Sequence, residues 1–294
     1  MTGALLAAGA GLGFGAFQAL NRRSVGGIAD AYLATFLQLA VATAVLLAAT
    51  LASADLSLLR TASAAALAWF VAAAVVHFLA GWTLLNMSQQ RIGAARTSPL
   101  LATVPLFGAG VAALTLREAP RPLAWLGIVL IVAGATLVGV ARSGRAAAVA
   151  PRDAAFGLGC ALAWSISPVL IRKGLEGLAS PLLGLTMGMV CVVLLYAAAL
   201  PLLRRPERGR AATREALVFK LGAGVLVGLS TWARWAALDD TGVAVVLALG
   251  LLSVPVVLAL SPLLVGRELE AVTPELLAAA ALVVGGSLLL VGDA

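Results

Sequence analysis

The chain has 294 residues, of which 62% are hydrophobic and 11% are charged, and its mean hydropathy is +1.06. Soluble domains carry about a quarter charged residues, so this composition excludes a water-soluble protein and indicates a membrane protein. The net charge of +7 does not indicate nucleic acid binding, because the basic residues lie in short segments between apolar runs and form no basic face with interleaved aromatics.

Ten apolar runs divide the chain, and they approach or reach the roughly 20 residues that a helix needs to cross a hydrocarbon core. Backbone groups in lipid must be hydrogen-bonded within the structure, and the strands of a membrane barrel would be about half as long. The runs therefore predict an all-α fold with ten transmembrane helices. In chain order they are Leu5–Leu20, Tyr32–Leu51, Leu67–Met87, Thr97–Leu116, Leu123–Ala141, Ala154–Ile171, Pro181–Leu200, Leu221–Leu238, Val243–Val265 and Leu276–Val291.

The first run has no basic segment before its apolar stretch, which predicts a membrane span rather than a cleaved signal peptide. Cys160 and Cys191 both fall inside apolar runs, so we expect small buried packing residues rather than a disulfide. No side chains have the spacing of metal ligands. The sequence thus predicts neither a metal nor another cofactor.

An internal repeat appears when the chain is aligned with itself at an offset of 150 residues. It gives two halves of five spans each, residues 1–145 and 152–294. Because five is odd, the second half must enter the membrane in the opposite orientation. This predicts an inverted-topology repeat with a binding site near the midplane and alternating access around it. The matched residues are Arg22-Arg23 with Arg172-Lys173, Gly27 with Gly177, Trp82 with Trp232, Pro105 with Pro255, and Arg117-Glu118 with Arg267-Glu268.

The distribution of basic residues predicts the orientation. Of the 20 Lys and Arg residues, 14 lie in the loops after odd-numbered spans and 5 in those after even-numbered spans. By the positive-inside rule the odd loops are cytoplasmic, so both termini are predicted outside the cytoplasm, in a multi-pass protein of the cell (inner) membrane. In an inverted repeat, however, the matched pairs Arg22-Arg23 and Arg172-Lys173 lie on opposite faces, so one of them breaks the rule.

A motif recurs in both halves. A proline within a span is followed about a dozen residues later by an Arg-Glu pair, and then by a span that contains glycine. The first copy consists of Pro105, Arg117-Glu118, Gly127 and Gly134, and the second of Pro255, Arg267-Glu268 and Gly285-Gly286.

This pattern resembles the ten-helix EamA-type permeases of the drug/metabolite transporter superfamily, over nearly the whole chain. The resemblance implies a metabolite carrier, often an exporter of amino acids or similar small polar compounds, and does not fix the substrate. Leu277 stands at the counterpart of Gly127, so the packing of the last helix is not carried over.

The eighth span contains an arginine. Gly224, Val227, Thr231 and Arg234 share one helical face, with Ser230 at its edge. An arginine is costly against lipid, so we expect Arg234 to face the interior and to have a partner. It either binds a substrate carboxylate or phosphate bidentately, or it forms a structural salt bridge with a carboxylate at the end of the span, or it snorkels to the interface. Those carboxylates are Asp239 and Asp240.

His77 is the single histidine, and it lies in the third span on the face that the repeat matches to the Arg234 face. It is either a hydrogen-bonded core residue or part of the transport pathway. Polar and aromatic residues of the first and sixth spans match one another and predict facing gates, while the prolines predict broken helices that expose backbone carbonyls. The predicted substrate-binding residues are His77, Trp82, Trp164, Ser165, Ser230, Thr231 and Arg234, and the predicted helix breaks or gates are Phe14, Gln18, Pro105, Pro168 and Pro255.

No Asp or Glu lies deep inside any of the ten spans. Proton-driven carriers usually use a membrane-embedded carboxylate. The sequence therefore predicts facilitated diffusion or exchange, or coupling through His77 or the Asp239-Asp240 pair.

Two other functions compete with a metabolite carrier. A lipid flippase would use an apolar lateral groove and bind headgroup phosphates. An intramembrane hydrolase would pair Ser230 with His77, but Trp232 stands where the nucleophile motif needs a glycine, so we expect no enzyme. The predicted partners are a small-molecule substrate and the lipid bilayer, without nucleic acid. The predicted transport unit is the single chain, with a dimer left open.

Overall fold

Apolar helices make up nearly all of the computed structural model, which describes residues 2–25, 28, 31–92, 94–118, 120–143, 150–203, 212–264 and 273–292. These ranges contain no β-strand. Residues Arg267 and Glu268 of the second motif lie outside the described residues, as does Gly27 of the repeat.

Ten long helices, named α1 to α10, follow one another, and a single-turn helix Leu58–Thr61 lies between the second and third. They are α1 (Thr2–Val25), α2 (Ala31–Ser53), α3 (Ala64–Ala74, Val75–Gly81 and Trp82–Ile92), α4 (Ala94–Leu101 and Val104–Leu116), α5 (Pro122–Ser143), α6 (Pro151–Leu175), α7 (Pro181–Leu203), α8 (Arg214–Asp240), α9 (Val243–Leu249, Gly250–Leu252 and Ser253–Leu264) and α10 (Pro274–Gly292).

All ten helices are long and apolar enough to cross a membrane, so the predicted all-α fold with ten transmembrane helices is confirmed. The predicted start of the eighth span was wrong by two turns. Instead of beginning at Leu221, α8 begins at Arg214, where the Thr213 hydroxyl accepts a hydrogen bond from the Ala216 N–H at 3.2 Å. Because Lys220 is charged, the count of basic residues assigned it to a loop. In the structure it lies inside the membrane helix α8.

Three helices are irregular near their centres. The middle of α3, Val75–Gly81, is π-helical. The helix α4 is interrupted at residues 102–103, shortly before Pro105, and α9 tightens into a 3₁₀ turn, Gly250–Leu252, shortly before Pro255. Proline has no backbone N–H to donate to the carbonyl oxygen of the preceding turn. The two predicted breaks thus occur at matching places in the two halves.

Each helix of one half packs against a helix of the other. Among these contacts are the pairs α1 with α8, α3 with α6, α2 with α7, α4 with α9 and α5 with α10. If the two halves are exchanged, the pair α1–α8 becomes the pair α6–α3. The pairs α2–α7, α4–α9 and α5–α10 each become themselves. The inverted relation and the boundaries 1–145 and 152–294 stay predictions from the sequence.

The two largest side chains of the interior join α3 to α8. Phe70 and Trp235 are fully buried and stack with ring centroids 5.8 Å apart. The Phe70 ring also fills the space beside Gly174 and Gly184, where an added Cβ would lie 2.8 and 2.6 Å from it. Large leucine side chains such as Leu202 instead point outward, as lipid-facing residues do.

The tightest crossing of α5 and α10 involves two glycines. A Cβ on Gly286 would lie 2.6 Å from the Gly127 carbonyl oxygen, and a Cβ on Gly127 would lie 2.8 Å from the Gly286 oxygen. Small residues let membrane helices approach closely. Gly127 therefore packs against a glycine of α10, Gly286, although the residue that the repeat matches to Gly127 is Leu277.

Substitution of Gly286 by alanine should destabilise the protein. The new methyl group forces α5 and α10 apart, and overpacking of this kind costs about 1–3 kcal/mol. Gly285→Ala is the matched control, because nothing lies within 4 Å of its added Cβ. We expect a lower melting temperature of the purified protein for Gly286→Ala alone. Equal melting temperatures of the two variants would contradict the crossing.

Candidate functional site

A hydrogen bond between a half-buried arginine and a buried histidine joins the halves inside the membrane. The Arg234 guanidinium on α8 donates from Nη2 to His77 Nε2 on α3 at 2.9 Å. His77 is 6% exposed and lies in the π-helical segment, a distortion that is frequent at functional sites. The matching faces predicted from the repeat thus meet through these two residues.

The partners of His77 define its protonation. Arginine only donates, so Nε2 must accept and the ring proton must lie on Nδ1. From there the imidazole donates to the Ser167 hydroxyl on α6 at 2.9 Å. The ring is therefore neutral and held from both sides.

The sixth helix completes the network around His77. Pro168 removes the N–H that would bond to the Trp164 carbonyl, and the Ser167 hydroxyl donates to that oxygen at 3.4 Å. The Trp164 ring stacks on His77 with centroids 5.4 Å apart, and its Nε1 donates to the His77 carbonyl at 3.1 Å. α6 continues through Pro168 without a break, so this proline frees a carbonyl rather than dividing its helix.

Gly81 makes room for this arrangement. A Cβ at Gly81 would lie 2.5 Å from Trp164 Nε1, so a larger residue would displace the indole. We call Phe14, His77, Trp164, Ser167 and Arg234 the Arg234 cluster.

The charge of Arg234 has no carboxylate partner among the residues that the structure describes. Its guanidinium carbon lies 5.2 Å from the centroid of the Phe14 ring, a cation–π contact with α1, and its Nε is buried without a hydrogen-bond partner. No carboxylate of the described residues lies within 4.0 Å of it. Asp239 and Asp240 are exposed at the end of α8, so the structural salt bridge weighed from the sequence is not formed.

Some of the other predicted site residues lie near the cluster, but none joins its hydrogen bonds. Thr231 is buried and donates to its own helix at Val227. Ser230 faces Gly13 of α1, whose added Cβ would lie 2.2 Å from the hydroxyl. Ser165 is buried and donates to the Ala161 and Val104 carbonyls, which ties α6 to the interrupted part of α4.

Trp82 and Gln18 lie apart from these contacts. Trp82 is half-buried and packs against the apolar core. Gln18 is exposed. Of the predicted gates, Phe14 therefore contacts Arg234 directly, whereas Gln18 has no contact with the cluster in the described part of the chain.

A separate cavity of about 510 Å³ lies at the membrane face where the even-numbered helices end. We call this the even-loop face, and the opposite one the odd-loop face. Glu118 and Arg172 form an ion pair at 2.6 Å in the cavity wall, and Glu118 also accepts from the Val243 N–H at 3.2 Å. Asp239 and Asp240 line the same cavity. It does not reach the Arg234 cluster.

Sequence reasoning missed Ser167. Its signal was its place directly before Pro168, because serine side chains commonly satisfy carbonyls that a proline leaves free. The Glu118–Arg172 pair was also missed, although both residues belong to matched motifs, because 54 residues separate them in sequence.

The model of the EamA-like transporter family matches residues 1–140. Through these residues the chain is similar to the EamA-like transporter family. The resemblance drawn from the sequence motifs is thereby confirmed. The chain is a multi-pass membrane protein with ten apolar helices, and the family that its first half matches is one of transporters.

A crystal structure of another protein aligns with 98% of this chain and 94% of its own, with a TM-score of 0.76 and 23% sequence identity. At that identity the likeness shows the fold alone. No curated protein matches the chain.

The hydroxyl of Ser167 should be required for stability. Ser167→Ala leaves a buried imidazole N–H without an acceptor, which costs about 1–3 kcal/mol. We expect a lower melting temperature than for Thr231→Val, the matched control whose hydroxyl bonds only within its own helix. A Ser167→Ala variant as stable as Thr231→Val would show that His77 does not depend on this bond.

Proposed function

We propose that this transporter exports a small polar metabolite with an anionic group, an amino acid or a related carboxylate, by alternating access, and that Arg234 binds that group. The observation that carries the proposal is a half-buried arginine with no carboxylate partner among the described residues and with a buried, unpartnered Nε. A substrate carboxylate would supply both the missing charge and the missing acceptor.

The surroundings of Arg234 hold it ready for such a ligand. His77 accepts one N–H of Nη2 and the Phe14 ring covers the guanidinium carbon. This leaves the Nε–H and three terminal N–H groups, two neighbours of which can form a bidentate bond. Charge-assisted hydrogen bonds of this kind are stronger in a low-dielectric interior than in water. The Trp164 ring beside His77 offers an aromatic surface to the rest of the substrate.

The cavity at the even-loop face supports a route to the cluster. Asp239, in its wall, follows Arg234 by five residues, which is about 7.5 Å along α8. The wall carries both carboxylates and guanidiniums, so it suits a zwitterion better than an apolar solute. A small displacement of α8 would connect the cavity with Arg234.

The remaining parts of the proposal come from the sequence. The charge of the loops supports odd loops in the cytoplasm and both termini outside it, in the inner membrane. With that orientation the cavity faces away from the cytoplasm, as the release side of an exporter would. Both halves lie on one chain, which supports transport by a monomer, and the repeat supports rocking of the halves around the cluster.

The two alternatives have less support. In the hydrolase, His77 would activate Ser230, but both of its ring nitrogens are occupied by Arg234 and Ser167. A flippase would also bind an anion at Arg234 and would differ in needing a lateral groove. Transport assays in liposomes with amino acids and with labelled lipids separate the flippase from the metabolite carrier.

Replacement of Arg234 should abolish transport without unfolding the protein. Arg234→Ala removes the anion-binding group, and because no carboxylate is left unpaired, its melting temperature should stay near that of the wild type. Arg234→Lys should restore transport only in part, since an ammonium lacks the bidentate fork. Uptake of amino acids into proteoliposomes and the melting temperature are measured on the same preparations.

Arg60→Ala is the control, because Arg60 is an exposed arginine on the short helix Leu58–Thr61. It should transport normally. Loss of stability together with transport in Arg234→Ala would point to a structural role, and normal transport would remove Arg234 from the site.

Transport should not be driven by a pH gradient. The ten spans have no deep carboxylate, and His77 is held neutral between a donor and an acceptor. We expect exchange of labelled against unlabelled substrate to be unchanged when a pH gradient is imposed across the proteoliposome membrane. Accumulation driven by that gradient, in a variant with His77, Asp239 and Asp240 all replaced, would contradict facilitated diffusion or exchange.

A further inference from the structure

A second buried cation lies in α8, near the odd-loop face. The Lys220 ammonium donates to the side-chain oxygens of Asn21 on α1 and Gln38 on α2, the latter at 3.2 Å. Lys220 is 4% exposed and Gln38 is 1% exposed. We call these three residues, each from a different helix, the Lys220 cluster.

Close approach of α2 to α8 builds this cluster. An added Cβ on Gly224 would lie 2.7 Å from Val41 and 3.2 Å from the Gln38 carbonyl oxygen. Because Gly224 has no side chain, α2 lies close enough for Gln38 to reach Lys220 one turn earlier on α8. The glycine that seemed from the sequence to line a pathway therefore positions a polar contact.

The cluster has more donors than acceptors. An ammonium has three N–H groups, and the two amide oxygens accept two of them. Since Lys220 can only donate, Gln38 must present its oxygen, and its Nε2 is then buried without any partner. One ammonium proton and this amide group thus lack an acceptor.

The charge of the cluster also has no counterion in the described part of the chain. No carboxylate of the described residues lies within 4.0 Å of the Lys220 ammonium. Glu215, the acidic residue one turn before it, is exposed and is paired with Arg23 at 2.6 Å. Buried charges in proteins are paired, or they bind a ligand of opposite charge.

The position of the cluster separates it from Arg234. Arg234 follows Lys220 by fourteen positions, which is about 21 Å along the helix and close to four turns, so both side chains lie on one side of α8. The exposed Arg23–Glu215 pair covers the cluster at the odd-loop face. The packing of Gly224 and Gly228 against α2 closes the space between the two cations.

We propose that Lys220, Asn21 and Gln38 form a second anion-binding site, which takes a carboxylate or phosphate oxyanion at the odd-loop end of the α1–α8 seam. The ammonium supplies the charge, and the free amide of Gln38 donates the second hydrogen bond. Parting of α1 and α8 at this end admits the anion, and the anion favours the conformation that exposes the site. This site does not depend on Arg234.

The test measures anion-dependent stability of the purified full chain in phosphatidylcholine nanodiscs. Sodium acetate or sodium phosphate is titrated against sodium chloride at constant ionic strength. A ligand that binds the folded protein raises the melting temperature with saturation. We expect a saturable rise with acetate or phosphate in the wild type and in Arg234→Met, and its loss in Lys220→Met. The Lys220, Gln38 and Arg23 variants of this test also carry Arg234→Met, so that the substrate site cannot bind the probe.

Two further variants keep the test decisive. Gln38→Leu retains the cation and removes the free amide, and it should weaken the apparent affinity for the probe by about tenfold. Arg23→Gln, the control, removes a neighbouring exposed cation and should leave the affinity unchanged. Without the probe, Lys220→Met should be at least as stable as the wild type, because it removes an unpaired buried charge.

The source of the anion is distinguished by the lipid. Phosphatidylglycerol in the nanodisc can stabilise the wild type but not Lys220→Met. If it does so, and if acetate and phosphate stabilise neither protein, the site binds a lipid headgroup phosphate. Retention of the stabilisation in Lys220→Met, or no stabilisation of the wild type by any of the three probes, would overturn the proposal. So would a Lys220→Met variant that is less stable without the probe and equally stabilised with it, since that is the behaviour of a structural lysine.

Discussion

The hydrogen bond from Arg234 to His77 joins a helix of the second half to a helix of the first inside an apolar bundle. Its geometry sets most of what surrounds it. Because Arg234 only donates, His77 must be neutral and must find an acceptor for Nδ1, which Ser167 supplies. Ser167 lies directly before Pro168 on α6, and His77 lies in the π-helical turn of α3. These two irregularities position the two side chains.

The two cations in the middle part of α8, Arg234 and Lys220, both lack a counterion among the described residues. Arg234 and Lys220 each have polar partners that are neutral, and neither has a carboxylate among the described residues. A buried charge without a counterion is costly, so its retention requires a compensating function. An anion that moves along the seam between α1 and α8 would meet one cation near each end. This links the site proposed for the substrate with the second site.

Ion pairs join the halves at both membrane faces. Glu118 of the first half pairs with Arg172 of the second at the even-loop face, and Arg23 pairs with Glu215 at the odd-loop face. Pairs with this much exposure contribute little stability individually. They would therefore be able to break and reform in the proposed movement of the halves, whereas the interior crossings such as Gly127 with Gly286 are closely packed.

The sequence by itself determined the ten helices and the residues that interrupt α4 and α9, because long apolar runs in lipid form helices and proline lacks an N–H. It also predicted two halves of five spans. It also selected Arg234, His77 and Trp164 from their cost or rarity in a membrane. Only the tertiary structure decided the partner of Arg234, because Asp239 is close in sequence while His77 lies 157 residues away. The burial of Lys220 was likewise decided by packing. Its charge alone favours a loop, but the contact of α2 with α8 encloses the Lys220 side chain.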